Sequence, residues 1–479
     1  MAFQSNSNNA WIFNGNDGNL NYNNNRINGN YARVFRDSCS ADLERYQSAL
    51  IPLLDLYRWY FRTRKGKRRS LAQLRFEMHY PGLLRQMQEE LCDMEYILKD
   101  VLAFILEYPQ LREVIAPDFF DRVPQTFYCE TIRPEIEKRL DDNSFSCRIG
   151  RGAIAAVNRL AEYYLEESRG GQEECVFIKF DQRSFFLHIF KPMLVDMLTH
   201  VIEEAFSNDP KKDLLLYLTR IMYQSDPTQH CRFMCPRYKW DNLPKHKSKF
   251  NLSPDEGVDI GNLNAQLAGN FISTIYLTAL RAFGYTTFIH YTDDVVLVLR
   301  KNRVDQFFRI FFPELRRVEA SAHLELNEKK TYCQDCSHGV LAVGFFIKCF
   351  GSTVVVYPSK RVVNNLERVL SYMIERGNGD KYFRLKNKEH FRDSINSYYG
   401  LFSHCNAYKY WCSVKERIMS SDWKDMLYFD EGFTSCKIVK RYKMKSYLKY
   451  INKQLKKSFY YETNRCDSRR NQCQGVASA

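Results

Sequence analysis

The sequence has 479 residues, 45% of them hydrophobic, enough for a stable core without disulfide or metal staples, which excludes a miniprotein or a peptide hormone. Lys and Arg number 70 against 56 Asp and Glu, a formal charge of +14, so the surface attracts phosphate, and nucleic acid is the expected partner rather than a lipid surface. No apolar stretch approaches the roughly 18 residues of a membrane span, no secretory signal opens the chain, and 15 cysteines without framework spacing read as reduced cytosolic thiols.

Residues 1–40 hold twelve Asn in the first thirty positions, with Gly15, Gly18 and Gly29 among them, and show neither a helical nor a strand period. Such a segment buries too little to offset its ordering entropy and is expected to stay disordered. From Ala41 to Leu106 the pattern turns helical. Within it Arg58, Arg62, Arg64, Lys65, Lys67, Arg68 and Arg69 form a basic block interleaved with Trp59, Tyr60 and Phe61. Rings that stack on bases beside cations that meet phosphate would suit nucleic acid, although a charge run is usually only a solvated face.

Residues 111–350 alternate helical and strand patterns: helices over 153–167, 191–205, 211–223 and 262–283, and an apolar strand over 175–180. Strands over 286–291 and 294–299 are separated by almost nothing, which predicts a tight hairpin, and 340–348 with 353–357 reads as a second one. The class is α+β, a small antiparallel sheet backed by helices. Residues 360–430 read as mainly helical, and 437–470 carry twelve Lys or Arg against Glu462 and Asp467. The expected division is a head (1–40), a basic helical extension (41–110), a central α+β region (111–350), a helical region (351–430) and a basic tail (431–479).

The chemistry concentrates in FIHYTDDVVLVL at 288–299, two apolar strands whose turn carries Asp293 and Asp294. Asp181 ends the strand CVFIKF and converges on them if the two elements share a sheet. Three carboxylates in one place repel unless cations neutralise them, and hard oxygen ligands suit Mg²⁺, with Mn²⁺ able to substitute. Two such ions about 3.5–4 Å apart would serve phosphoryl transfer. Cys231, Cys235 and His230 lie too far along the chain from Cys333, Cys336 and His338 to read as a zinc site.

The order D-x-x-x-F-F (Asp181 to Phe186), I-G-N-x-x-A-Q (Ile260 to Gln266), Y-T-D-D (Tyr291 to Asp294), L-N-E-K-K-T (Leu326 to Thr331) and V-G-F (Val343 to Phe345) resembles the palm of a reverse transcriptase. With APDFFDRV at 116–123, FSCRIGRGA at 145–153 and SINSYYGLFSH at 394–404, the sequence is most similar to reverse transcriptases of diversity-generating retroelements, cassettes that copy a template repeat into a variable gene with errors at adenine. The resemblance implies a right-hand fold of fingers, palm and helical thumb. It implies template RNA, a cDNA or DNA primer, dNTPs and a basic accessory protein as partners, in a bacterial or phage-encoded cytoplasmic enzyme without a membrane. It makes Asp181, Asp293 and Asp294 the metal-binding carboxylates and Lys330 the proton donor to pyrophosphate. Phe186 becomes the ring under the sugar, Arg148 or Arg151 a triphosphate contact in a glycine-rich turn, and Ile260, Gly261 and Gln266 the segment beneath the templating base pair. Two departures stand out. Ile260 occupies a position where most reverse transcriptases have Gln, so the nucleotide is held less tightly, and Ala265 replaces the usual Ser.

A retron, group II intron or phage-defence reverse transcriptase shares the same core, and a degenerate RNA-binding scaffold is the non-enzyme alternative. The scaffold would be expected to lack at least one of the three carboxylates, and all are present. The head offers one more reading. Residues 11–36 resemble the end of the variable proteins that such cassettes diversify, so residues 1–36 would be a template repeat translated in frame, Asn codons carrying the two adenines at which errors fall.

Overall fold

The computed structural model describes residues 50–65, 70–107, 111–432 and 434–442, and the backbone of two short strands nearer the start. Those strands, β1 (Ala10–Phe13) and β2 (Leu20–Asn23), pair antiparallel, so the segment read as having no regular structure contains a hairpin. The rest of the head, Lys67, Arg68, Arg69 and the tail beyond residue 442 lie outside the described residues. No described helix is long and apolar enough to cross a membrane. The chain divides into two compact units, one running to Arg169 and resuming over Glu173–Gln334, the other made of Gly170–Gln172 and everything from Asp335 onward.

In the first unit α1 (Leu53–Arg64) and α2 (Leu71–Cys92) bury one face each. Leu53, Leu56, Tyr57, Tyr60 and Phe61 recur at helical spacing, so the rings of the basic block turn into the core: Tyr60 stacks on Tyr80 at 5.0 Å, and Trp59 lies 4.4 Å from Phe127. The expectation that these rings stack on bases therefore fails, because the helical period that places the arginines outside places the aromatics inside. Arg58 pairs with Asp55, Arg62 with Glu130 and Arg64 with Glu77, while Lys65 caps the end of α1. The stretch VLAFIL, read as helical, is β3 (Val101–Leu106), antiparallel to β4 (Arg112–Ala116). A six-residue apolar run has no decisive period, and β-pairing settled it.

Helices α3 (Arg122–Glu137) and α4 (Ala153–Glu167) lead to β5 (Cys175–Asp181), all of whose residues are buried. After α5 (Lys191–Ala205) and α6 (Lys212–Gln224), β6 (Cys231–Phe233) joins β3 in parallel. Then α7 (Leu263–Ala282) precedes β7 (Phe288–Tyr291) and β8 (Asp294–Arg300). A sheet of order β7-β8-β5-β9, with β9 at Tyr332–Asp335, forms the centre. On one face Val176, Ile178 and Phe180 of β5 and Val295, Leu297 and Leu299 of β8 join the main core, and strand alternation sends Lys179 and Asp181 to the other.

The second unit opens with a meander of β10 (Val340–Ala342), β11 (Phe345–Phe350) and β12 (Thr353–Pro358). The expected hairpin is thus β11 with β12, and the Val343–Gly344 turn separates β10 from them. These strands cluster with the helices that follow rather than with the preceding sheet, which moves the expected boundary from residue 350 to residue 334. Helices α8 (Lys360–Gly377), α9 (Lys381–Phe402) and α10 (Tyr408–Met419) pack Leu366, Leu370, Phe391, Ile395 and Trp411 around the fully buried Trp423. The Trp423 indole donates to the Met373 carbonyl at 2.7 Å and lies so close to Gly377 that a Cβ there would sit 2.4 Å from its ring nitrogen. Gly377→Ala should destabilise this unit by about 1–3 kcal/mol through overpacking. Denaturant unfolding checks this, and an unchanged midpoint would show that the indole has room to move.

Candidate active site

The register of the central sheet decides where the carboxylates meet. In the antiparallel β5–β8 pair Asp181 stands directly opposite Asp294, while the β7–β8 hairpin pairs Tyr291 with Asp294 and leaves Thr292 and Asp293 as its two-residue loop. A loop that short favours positive φ, and Thr292 adopts φ 61°, unusual for a β-branched residue. Strain of this kind costs about 1–3 kcal/mol and persists only when the surroundings hold it. Here they do. The Thr292 N–H donates to Ser146 Oγ at 3.1 Å, and the Thr292 carbonyl lies 2.9 Å from His290 Nε2. His290 Nδ1 in turn meets Ser144 Oγ at 2.9 Å, and backbone bonds run from Phe145 N to the His290 carbonyl and from His290 N to the Asn143 carbonyl. Burial pushes the His290 pKa down to about 4, so the ring is neutral and serves as a hydrogen-bonding brace. Asn270 of α7 completes the support with two 2.7 Å bonds to Ser146.

Charge compensation comes from two lysines. Lys179, only 9% exposed, lies on the same face of β5 as Asp181, and its ammonium is 3.1 Å from Asp294 Oδ1. That oxygen is buried, with this ion pair but no directed hydrogen bond. Lys330 approaches Asp181 at 3.0 Å, and Asn327 donates to the same carboxylate at 3.1 Å while its backbone N–H holds the Asp181 carbonyl at 2.8 Å. Two ammonium groups against three carboxylates leave one negative charge uncompensated. Burial, then Asp294 and Asp181, raise the Asp293 pKa to about 6. Burial also raises that of Asp294, with Asp181 adding to the effect and Lys179 opposing it. Burial disfavours the Lys330 cation, but Asp181, with Asp293 and Asp294, outweighs it and keeps this lysine above its usual pKa. Among the described residues no group of three or more His, Cys, Asp or Glu side chains is arranged to hold a metal ion by itself, so a cation here would have to draw ligands from substrate phosphates and water.

The other expected residues fall in two groups. Phe186, half-buried, is edge-on to Phe185 at 5.3 Å, and Gly269 of α7 makes room for it, since a Cβ there would lie 2.9 Å from its ring. The Phe186 carbonyl accepts from Val258 N at 2.8 Å, so the chain leading into Ile260 runs beside it. Gly261, at φ 124°, packs against β4, where a Cβ would come within 3.2 Å of the Ile115 carbonyl, while Ile260 is half-buried, Ala265 is buried and Gln266 is exposed on the first turn of α7. The two arginines differ sharply. Arg148 is 7% exposed and engaged by Glu137 and by the carbonyls of Asp141 and Ser144. Arg151 is more open, pairs with the exposed Asp142 and lines a cavity of about 450 Å³ with Arg159 and Glu162. Arg148 thus holds the turn together, while Arg151, among the described residues, is engaged only by Asp142 and the Phe145 ring and is the more exposed of the two. Lys179, Asn327 and the Ser144–Ser146–His290–Asn270 brace escape a reading of the sequence. Lys179 alone left a signal there, as the one charge within an apolar strand.

No family model and no curated protein matches this chain. Among solved structures it is similar to a telomerase from Candida albicans in complex with a fragment of telomeric RNA, at 11% identity and a TM-score of 0.40, over 68% of this chain and 59% of that one. It is also similar to an apo telomerase from Candida tropicalis truncated from its C-terminal domain, at 10% identity and a TM-score of 0.39, over 54% of this chain and 55% of that one. The chain therefore spans less than two thirds of either neighbour, and likeness of this degree assigns it no function.

The Asp293 carboxyl binds its proton more tightly folded, near 6, than at its ordinary value of 3.8, so the folded state holds more protons between those values and its stability falls as pH rises through that window. Without metal, Asp293→Asn should therefore be more stable than wild type at pH 7.5 by about 1–3 kcal/mol. The gain should shrink as pH drops toward 4, and Mg²⁺ should raise the melting temperature of wild type far more than that of the variant. Thermal melts read both, and coincident metal-free curves at pH 7.5 would remove the repulsion argument.

Proposed function

We propose that the chain is an RNA-directed DNA polymerase of a diversity-generating retroelement, copying a template-repeat RNA into cDNA with errors at adenine. The observation that carries the reading is the juxtaposition of Asp181, Asp293 and Asp294 at one end of the central sheet with Lys330 on Asp181. Strand-borne carboxylates of this kind hold cations for nucleotidyl transfer, and the motif order along the chain matches it. In this reading the first unit supplies fingers and palm and the helices of the second form the thumb. The basic block around Arg58 and Arg62 and the tail meet template RNA, and a basic accessory protein shares that RNA.

Asp181, Asp293 and Asp294 would hold Mg²⁺, which would supply Lewis acidity toward the phosphoryl oxygens and favour the ionised form of a primer 3′-hydroxyl. The protein's own groups do the rest. Lys330, protonated at neutral pH and 58% exposed, can leave Asp181 when a nucleotide arrives and hand its proton to departing pyrophosphate. Arg151 takes the triphosphate, with guanidinium geometry suited to its oxygens. Phe186, fixed in place against Gly269, excludes a 2′-hydroxyl from the sugar position. Lys179 opposes the burial that raises the Asp294 pKa and occupies one of its oxygens, which makes Asp294 the least direct cation ligand in this reading.

Asp293→Asn should lower primer extension on an RNA template by at least about a thousand-fold, equivalent to about 4 kcal/mol of transition-state stabilisation, and leave RNA binding largely intact. Extension by that variant at the wild-type rate would end the assignment.

The finer claim, infidelity at adenine, rests on Ile260. An aliphatic side chain offers no hydrogen bond to hold the nucleotide pair, so discrimination depends on geometry alone. Ile260→Gln should reduce misincorporation opposite template adenine by several-fold, on the order of one hydrogen bond or about 1 kcal/mol. Sequencing of cDNA made by both enzymes measures it. An unchanged error spectrum would favour a retron or phage-defence polymerase over a mutagenic cassette.

A further inference from the structure

Remote in sequence from the carboxylates, residues 231–251 form a segment with little regular structure, three short 3₁₀ turns after β6. It carries six Lys or Arg against Asp241 alone. Its rings face one another: Phe233 stacks on Phe250 at 5.5 Å, and Trp240 stands edge-on to Phe233 at 5.3 Å. Together they wall a cavity of about 440 Å³ whose charged lining is Arg237, Lys245 and Asp241, two cations against one carboxylate. The Arg237 guanidinium lies 4.2 Å from the centre of the Phe233 ring, extending the aromatic surface with a cation.

The wall is held rigidly. Glu113 of β4 is buried and accepts three hydrogen bonds, all from this segment: Trp240 Nε1 at 2.6 Å, Ser248 Oγ at 2.7 Å and the Lys249 N–H at 2.7 Å. A buried carboxylate is costly unless satisfied in this way, and every bond it makes serves to fix the loop. Nothing in the carboxylate chemistry uses these residues, although Phe233, Trp240 and Phe250 remain only partly buried.

We propose that this cavity binds an unpaired nucleotide of a single strand, its base against the Phe233, Trp240 and Phe250 wall and its phosphates on Arg237 and Lys245. The volume lies within the roughly 300–1,000 Å³ of small-molecule sites. An acidic peptide would satisfy the cations and leave the rings idle, an apolar peptide would bury the cations, and a duplex keeps its bases stacked on one another. Only an unpaired nucleotide uses both halves of the pocket. The proposal does not depend on the polymerase reading, since a chain without catalysis would keep the same pocket.

Photo-crosslinking of the full-length protein with single-stranded oligomers carrying 4-thiouridine (RNA) or 4-thiothymidine (DNA), followed by peptide mapping, tests it directly. Crosslinks within 231–251 are expected, and the stronger of the two probes names the source strand. Phe250→Leu, which keeps apolar volume but loses the flat face, and the double change Arg237→Ala with Lys245→Ala should each weaken single-strand binding roughly ten-fold by fluorescence anisotropy, leaving duplex binding unchanged. The proposal is overturned if no crosslink falls in 231–251, if duplex binding drops equally, or if polyglutamate displaces the crosslink more effectively than a single strand does. The wild-type crosslink map stands even where a variant fails to fold.

Discussion

Mutual repulsion of three carboxylates is the constraint around which the centre of this protein is organised. Antiparallel register sets Asp181 across from Asp294, and the shortest hairpin loop places Asp293 beside them. Left alone, such a cluster would protonate or push the strands apart. Lys179 beneath Asp294 and Lys330 over Asp181 lower the repulsion enough for the sheet to close, and one carboxylate charge is still uncompensated. Strained or charged sites of this kind persist where their surroundings hold them.

The brace around the hairpin shows how that state is held. Ser144, Phe145 and Ser146 run along and cover the outer edge of β7, and Asn270 fixes Ser146 from the helix behind. A neutral histidine is the appropriate centre for this network, because a charged imidazole would be costly at full burial, while the neutral ring presents one donor and one acceptor. The turn carrying Arg148 and Arg151 continues directly from this brace. Arg148, tied to Glu137, fixes the base of the turn, and Arg151 pairs with Asp142 nearer its tip.

Periodicity and motif order made much of this legible before any coordinates. The helices over 153–167, 191–205 and 263–282 and the strands β5, β7 and β8 carry strong local patterns, and Asp181, Asp293 and Asp294 stand out as charges at the ends of apolar strands and in the turn between two of them. Misreadings arose where local pattern was ambiguous or where chemistry depended on facing. VLAFIL is too short for its period to be decisive, and partnership with β4 made it a strand. Trp59, Tyr60 and Phe61 looked like base-stacking rings because composition does not say which way a side chain points, and the helix turned them inward.

What the sequence determined by itself is therefore the class of fold, the strands that carry the carboxylates and the acidic turn between two of them, since each follows from residues near one another in the chain. The tertiary structure alone decided the register that sets Asp181 against Asp294, the lysines that compensate them, the engagement of Arg148 by Glu137 and the closing of Phe233, Trp240 and Phe250 around a cavity. The physical reason is the same in each case. The carboxylate and lysine pairs join residues more than a hundred positions apart, and even the nearer contacts of Arg148 and of the three rings depend on distance and burial, which a linear pattern does not contain.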